Sequence, residues 1–136
     1  MVSHLPFKWS VRIYFEDTDS GGVVYHSNYL KFMERARTEW LRSLHLNQAD
    51  LKKKDKIMFV VANVNIDYKK AARFNDELDI ETSIDKIGAS RVDLTQNIMK
   101  NSDLYTSAKV TIACINSETF KPQRVPKLIK QQMEIL

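Results

Sequence analysis

The sequence predicts an α+β fold in which a curled, antiparallel, five-stranded sheet wraps around one long central helix. Two observations carry this. Apolar side chains recur at helical spacing across residues 28–45, and four later stretches alternate apolar and polar residues with a period of two. A shorter alternating stretch precedes the helix. One sheet and one helix must bury their apolar faces against each other, so the sheet has to curl over the helix. The 136 residues show no internal repeat, low-complexity tract or long linker, and one domain is expected over 1–136.

The first strand is expected over residues 8–16, with Val11, Ile13 and Phe15 on one face and Arg12, Tyr14 and Glu16 on the other. It runs into Asp17-Thr18-Asp19-Ser20-Gly21-Gly22, which holds two of the chain's three glycines. Paired glycines permit backbone angles that other residues resist. The helix follows, with Asn28 or Ser27 as candidate N-cap. Tyr29, Met33, Ala36, Trp40 and Leu44 form its apolar stripe, joined by Leu30, Phe32 and Leu41. A polar connection over 47–56 ends it.

The remaining strands are expected to face inward with Val60, Ala62, Val64, Ile66 and Tyr68; then Leu78, Ile80, Thr82 and Ile84; then Val92, Leu94, Gln96 and Ile98; then Ala108, Val110, Ile112 and Cys114. Short breaks at Asn75-Asp76, around Gly88 and at Asn101-Ser102-Asp103 suit antiparallel neighbours. Pro122 and Pro126 close the strand region, and 127–136 are expected to form a short terminal helix.

Composition excludes several function classes. The net charge of +4 comes from 21 Lys and Arg against 17 Asp and Glu, and suits an anionic ligand without a long basic tract. Lys52-Lys53-Lys54, followed at once by Asp55, reads as a solvated loop, and no nucleic-acid partner is expected. One cysteine, Cys114, permits no intrachain disulfide and reads as a buried structural thiol. Neither a secretory leader nor a membrane span is expected, which makes the cytoplasm the default location. The histidines His4, His26 and His45 lack metal-ligand spacing, so no metal is expected.

The chemistry concentrates in the segment from Asp17 to Tyr29. It places carboxylates and a histidine in the connection that feeds a helix N-terminus, where amides lack intrahelical partners and the helix dipole favours negative charge. Such a site can hold an oxyanion on an attacked carbonyl, while a nearby carboxylate attacks it or activates water. On residue type alone each group also has a structural reading. Asp19 suits a turn, Asp17 suits turn amides, His26 suits a cap, and Tyr14 and Tyr25 suit packing at element edges.

The run Tyr14-Phe15-Glu16-Asp17-Thr18-Asp19-Ser20-Gly21-Gly22-Val23-Val24-Tyr25-His26-Ser27-Asn28-Tyr29-Leu30, continued by Glu34-Arg35-Ala36-Arg37, resembles the signature of the 4-hydroxybenzoyl-CoA thioesterase-like hotdog family. Within that family it is most similar to the acyl-CoA thioesterases associated with the Tol–Pal system, the YbgC type. The ending Lys121-Pro122-Gln123-Arg124-Val125-Pro126 also fits, so the resemblance covers nearly the whole chain. It implies a hotdog fold and hydrolysis of acyl-CoA thioesters with no separate cofactor, since coenzyme A belongs to the substrate. The motif's second Asp, the family's catalytic carboxylate, falls on Asp19. The carbonyl-polarising amide falls on or beside His26, whose side chain helps orient carbonyl or water in this subgroup. Tyr14 matches a position suggested to line the site. Nucleophile and general base both remain open for Asp19.

The resemblance further implies a homo-oligomer, dimer or tetramer, with basic side chains receiving the CoA phosphates. Arg91, Lys121 and Arg124 are the candidates. An acyl carrier protein is the alternative carrier. Two other functions compete: a hotdog hydratase or dehydratase, and a non-catalytic module that binds acyl thioesters or acyl carrier protein.

Overall fold

The structure is a computed structural model and describes residues 6–135; His4 and the last residue of the expected terminal helix lie outside them. Five strands form one antiparallel sheet: β1 (Phe7–Arg12), β2 (Ile57–Tyr68), β3 (Glu77–Ile87), β4 (Arg91–Lys100) and β5 (Asp103–Asn116), in the order β1-β3-β4-β5-β2. Helix α1 (His26–Ser43) lies across the sheet and contacts β3 and β1. A short helix α2 (Gln48–Asp50) continues into a π-helical turn, Leu51–Asp55, and α3 (Lys127–Ile135) follows the last strand.

The core forms where the two periodicities meet. Tyr29, Phe32, Met33, Ala36, Trp40, Leu41 and Leu44 are buried along α1, as the stripe requires, while Leu30 is exposed. They face Leu78 and Ile80 of β3, Val92, Leu94 and Ile98 of β4, and Ala108, Val110, Ile112 and Cys114 of β5, all buried. Each large apolar side chain removed from water contributes about 1.5–3 kcal/mol, so this seam dominates stability.

Three expectations change in the structure. The first strand ends at Arg12, and Phe15, expected inward, is 77% exposed. A 3-10 turn over Phe15–Asp17 breaks the alternation that would have carried it inside. Next, α1 begins at His26 with Tyr25 as N-cap, neither Asn28 nor Ser27. The Asn28 side chain is spent elsewhere, donating to the Asp17 carbonyl at 2.8 Å. Finally, β2 buries Ile57 and Phe59 at its start, and Ala62 is exposed. A register shift between Val61 and Asn63 moves the inward side to Val64 and Ile66, which are half-buried.

One polar cluster interrupts the apolar seam. Gln96, fully buried at the middle of β4, donates through Nε2 to the Met33 carbonyl and to Thr82 Oγ1, both at 3.0 Å. Its Oε1 accepts from Arg37 Nη1 at 2.9 Å. Burial lowers the Arg37 pKa from its ordinary value, and Glu34 opposes that shift. A satisfied buried network of this kind fixes where a helix sits, whereas a half-satisfied one is costly. Gln96→Leu is therefore expected to destabilise the protein by about 2 kcal/mol, as the cost of stranding Arg37 and Thr82. Equilibrium urea unfolding reads this directly.

Candidate active site

The segment between β1 and α1 is a small hairpin closed on itself. Thr18 and Val24 form an antiparallel bridge, the Asp19 amide donates to the Val23 carbonyl at 2.9 Å, and the Gly22 amide donates to the Asp19 carbonyl at 3.0 Å. Gly22 takes φ +81°, a backbone region that side chains disfavour. Gly21 serves a different need: a Cβ there would lie 3.2 Å from Asp19 Oδ1. That oxygen accepts the Gly21 amide at 2.8 Å. The Asp19 side chain therefore has one oxygen held by the turn, and the residue as a whole is exposed.

Asp17 has a bonding role two residues earlier. Its Oδ2 accepts the Tyr14 amide at 2.9 Å, and its carbonyl accepts both the Tyr25 amide at 3.1 Å and Asn28 Nδ2. These bonds tie the hairpin to the first turn of α1. From the other side, buried Tyr29 accepts the Ala72 amide on its hydroxyl at 3.0 Å, and the Ala72 carbonyl accepts the Val24 amide at 2.9 Å. Burial raises the Tyr29 pKa, with the Ala72 bond opposing.

His26 is the first residue of α1, and its ring packs 4.9 Å from that of Tyr68 at the end of β2. Tyr68 Oη also donates to the His26 carbonyl at 3.3 Å. The His26 and Ser27 amides open the helix and find no acceptor among the described residues. Asp19 and His26 thus belong to one hairpin–helix joint, with an exposed carboxylate and two donor amides. Such a joint can stabilise a developing oxyanion and supply a base or nucleophile.

The other expected residues lie elsewhere. Tyr14 is exposed and lines a groove between β1 and α1 whose walls include neither Asp19 nor His26. The 3-10 turn after it redirects the chain. Arg91 opens β4, and Lys121 and Arg124 flank the end of β5, where Asn116 donates to the Lys121 carbonyl. These positions are at the opposite strand ends from Tyr68 and Ala72, about 30 Å away by the rise of a ten-residue strand. Within one chain the basic residues and the joint are not brought together. Tyr68 and Ala72 are parts of the joint that strand alternation alone does not mark: Tyr68 reads there as a packing position, and Ala72 lies beyond the strand.

Comparisons with known proteins give the family and the fold. The thioesterase-like superfamily matches residues 13–133. The chain belongs to that superfamily. It is 42% identical over 124 residues to the acyl-CoA thioesterase YbgC of Haemophilus influenzae, covering 91% of each chain. A probable thioesterase from Bartonella henselae superposes with a TM-score of 0.83 at 38% identity, over 88% of this chain and 98% of that one. A 1,4-dihydroxy-2-naphthoyl-CoA thioesterase from Synechocystis shares the fold with a TM-score of 0.86 at 24% identity, over 93% and 94% of the two chains. The fold is that of the hotdog thioesterases.

A thioesterase-like protein could in principle use a cysteine nucleophile, and here the one candidate is unsuited. Cys114 is fully buried on β5, and burial pushes its thiol up to about 11. The reactive thiolate is therefore scarce at neutral pH. In native protein at pH 8, a disulfide-exchange reagent is expected to leave Cys114 unlabelled over minutes, with one thiol per chain appearing on denaturation. Absorbance of the released reporter thiol measures both.

Proposed function

We propose that Asp19 and the free amides at the start of α1 carry out acyl-CoA thioester hydrolysis. The activity follows from membership of the superfamily and from the 42% identity to an acyl-CoA thioesterase over most of both chains. The residue assignment rests on one observation: an exposed carboxylate shares a hydrogen-bonded joint with a helix N-terminus whose first amides have no acceptor among the described residues.

The thioester carbonyl oxygen sits against the His26 and Ser27 amides. Asp19 either attacks the carbonyl carbon or takes a proton from water that attacks it. The amides hold the negative charge on the tetrahedral oxygen, the carbon–sulfur bond breaks, and the thiolate leaves with the electron pair. If Asp19 is the nucleophile, water then cleaves the resulting anhydride and restores the carboxylate. One water is consumed and one acid and one thiol are released. The His26 side chain packs on Tyr68 and orients the joint. Tyr14, whose amide is bound by Asp17, lines the neighbouring groove beside the joint.

The same reading explains the distant basic residues through a second copy of the chain. β2 is an edge strand, the outward residues of its second half are exposed, and Val61 is 44% exposed. An unpaired, partly apolar edge of this length invites a partner strand. Antiparallel pairing of two β2 edges about a twofold axis sets the start of one beside the end of the other. Lys121, Arg124 and Arg91 of one protomer then approach the joint of its partner, where they receive phosphates of coenzyme A. An acyl carrier protein would present its pantetheine phosphate to the same groups. The homo-oligomer and a cytoplasmic location both belong to this proposal; no described helix is long and apolar enough to cross a membrane.

Asp19→Asn is expected to lower kcat at least ~100-fold, the scale for losing a central base or nucleophile, with His26→Ala milder because the amide survives. Release of free CoA from a panel of acyl-CoA substrates measures it; near-normal turnover in the folded Asp19 variant sinks the assignment. Sedimentation equilibrium is expected to give the mass of a dimer or tetramer. A monomer with full activity would refute the shared site.

A further inference from the structure

The groove between β1 and α1 is not used by the proposed reaction. Its volume is about 520 Å³, within the range of small-molecule sites. Trp9 and Val11 of β1 are half-buried in its wall, and buried Phe32 lies beneath them. Lys31 and Arg35, one helical turn apart on α1, stand exposed along the same groove.

The charges are not equivalent. Arg12 is occupied by Glu77 at 3.1 Å and by the Asn75 carbonyl, and Asp17 by the Tyr14 amide. Lys31, Arg35, Glu16 and Asp17 make no ion pair among the described residues, and Asp17 keeps its charge while accepting the Tyr14 amide; the two cations stand together on α1, apart in sequence from the two carboxylates of the turn. The apolar strip of Trp9, Val11 and Phe32 beside the two cations of α1 matches a ligand with an apolar body and a single anionic end.

We infer that this groove binds an anionic amphiphile, specifically a fatty carboxylate, at a site separate from Asp19. The cations hold the carboxylate and the chain lies along Trp9 and Val11. A nucleotide fits less well, because it would add several negative charges beside Glu16. The inference rests on the thioesterase reading only for the source of the ligand, since hydrolysis releases such acids. Binding itself requires no turnover, so failure of one is distinguishable from failure of the other. Occupancy has a route to the reaction: Asp17 and Asn28, which tie the hairpin to α1, form part of the groove wall.

The chain's two tryptophans make the test direct. Trp9 lines the groove, and Trp40 is 2% exposed in the core. Titrating decanoate into the intact protein is expected to change tryptophan fluorescence saturably, with the response lost in Trp9→Phe. The double variant Lys31→Gln/Arg35→Gln should weaken binding at least ~10-fold, the loss expected for a charge-assisted contact. Asp19→Asn should leave it unchanged, and decanol should bind more weakly than decanoate. Circular dichroism checks that each variant is folded, and isothermal titration calorimetry repeats the measurement without relying on Trp9. The proposal fails if no saturable binding occurs, if Lys31→Gln/Arg35→Gln binds normally, or if Asp19→Asn abolishes binding. Displacement of decanoate by free coenzyme A would also overturn it, by making the groove a nucleotide site.

Discussion

The position of the first turn of α1 is the constraint on which everything functional depends. Two independent sets of hydrogen bonds hold it: the Asp17 carbonyl binds Tyr25 and Asn28, while Tyr29 and Val24 bond to opposite sides of Ala72. Hairpin, helix and the segment after β2 are thereby joined at one place. A helix terminus is useful for anion chemistry only if its amides stay aimed at a fixed point. Neither helix propensity nor hydrophobic burial supplies that aim, since both tolerate sliding along the stripe.

Sliding is resisted deeper in the molecule as well. The apolar seam between α1 and the sheet is large but non-directional. Gln96 adds direction, because its three hydrogen bonds reach a helix carbonyl, a helix side chain and a neighbouring strand at once. Met33 lies seven residues after His26, roughly 10 Å along the axis at the helical rise. The buried amide and the terminal joint act as two fasteners on one rod, and small movements at either would displace the donor amides.

Much of this was legible in the chain itself. The stripe from Tyr29 to Leu44 and the inward rows of β3, β4 and β5 could be read directly, because long elements average over local exceptions. The failures fall where a local bond outcompetes periodicity. Phe15 continues the alternation of β1 but sits in a 3-10 turn, and the β2 row changes sides at a register shift that leaves no compositional trace. Asn28 looks like a cap and instead donates to a carbonyl eleven residues earlier, a contact that only the tertiary fold creates. The Asp19 motif was visible through family resemblance; the buttress of Tyr68 and Ala72 was not, since nothing about a tyrosine ending a strand or an alanine in the connection after it signals its partner.

The short bond from the Gly21 amide to Asp19 has an effect on the acid beyond holding the turn together. With Oδ1 anchored, rotation about the side-chain bonds of this aspartate is largely arrested before any substrate arrives. The conformational freedom that a free carboxylate would surrender on reaching its target has already been given up during folding. Residue 21 thereby helps set where its neighbour's carboxylate rests: a Cβ there would lie 3.2 Å from Asp19 Oδ1 and crowd it out of place by a few tenths of an ångström.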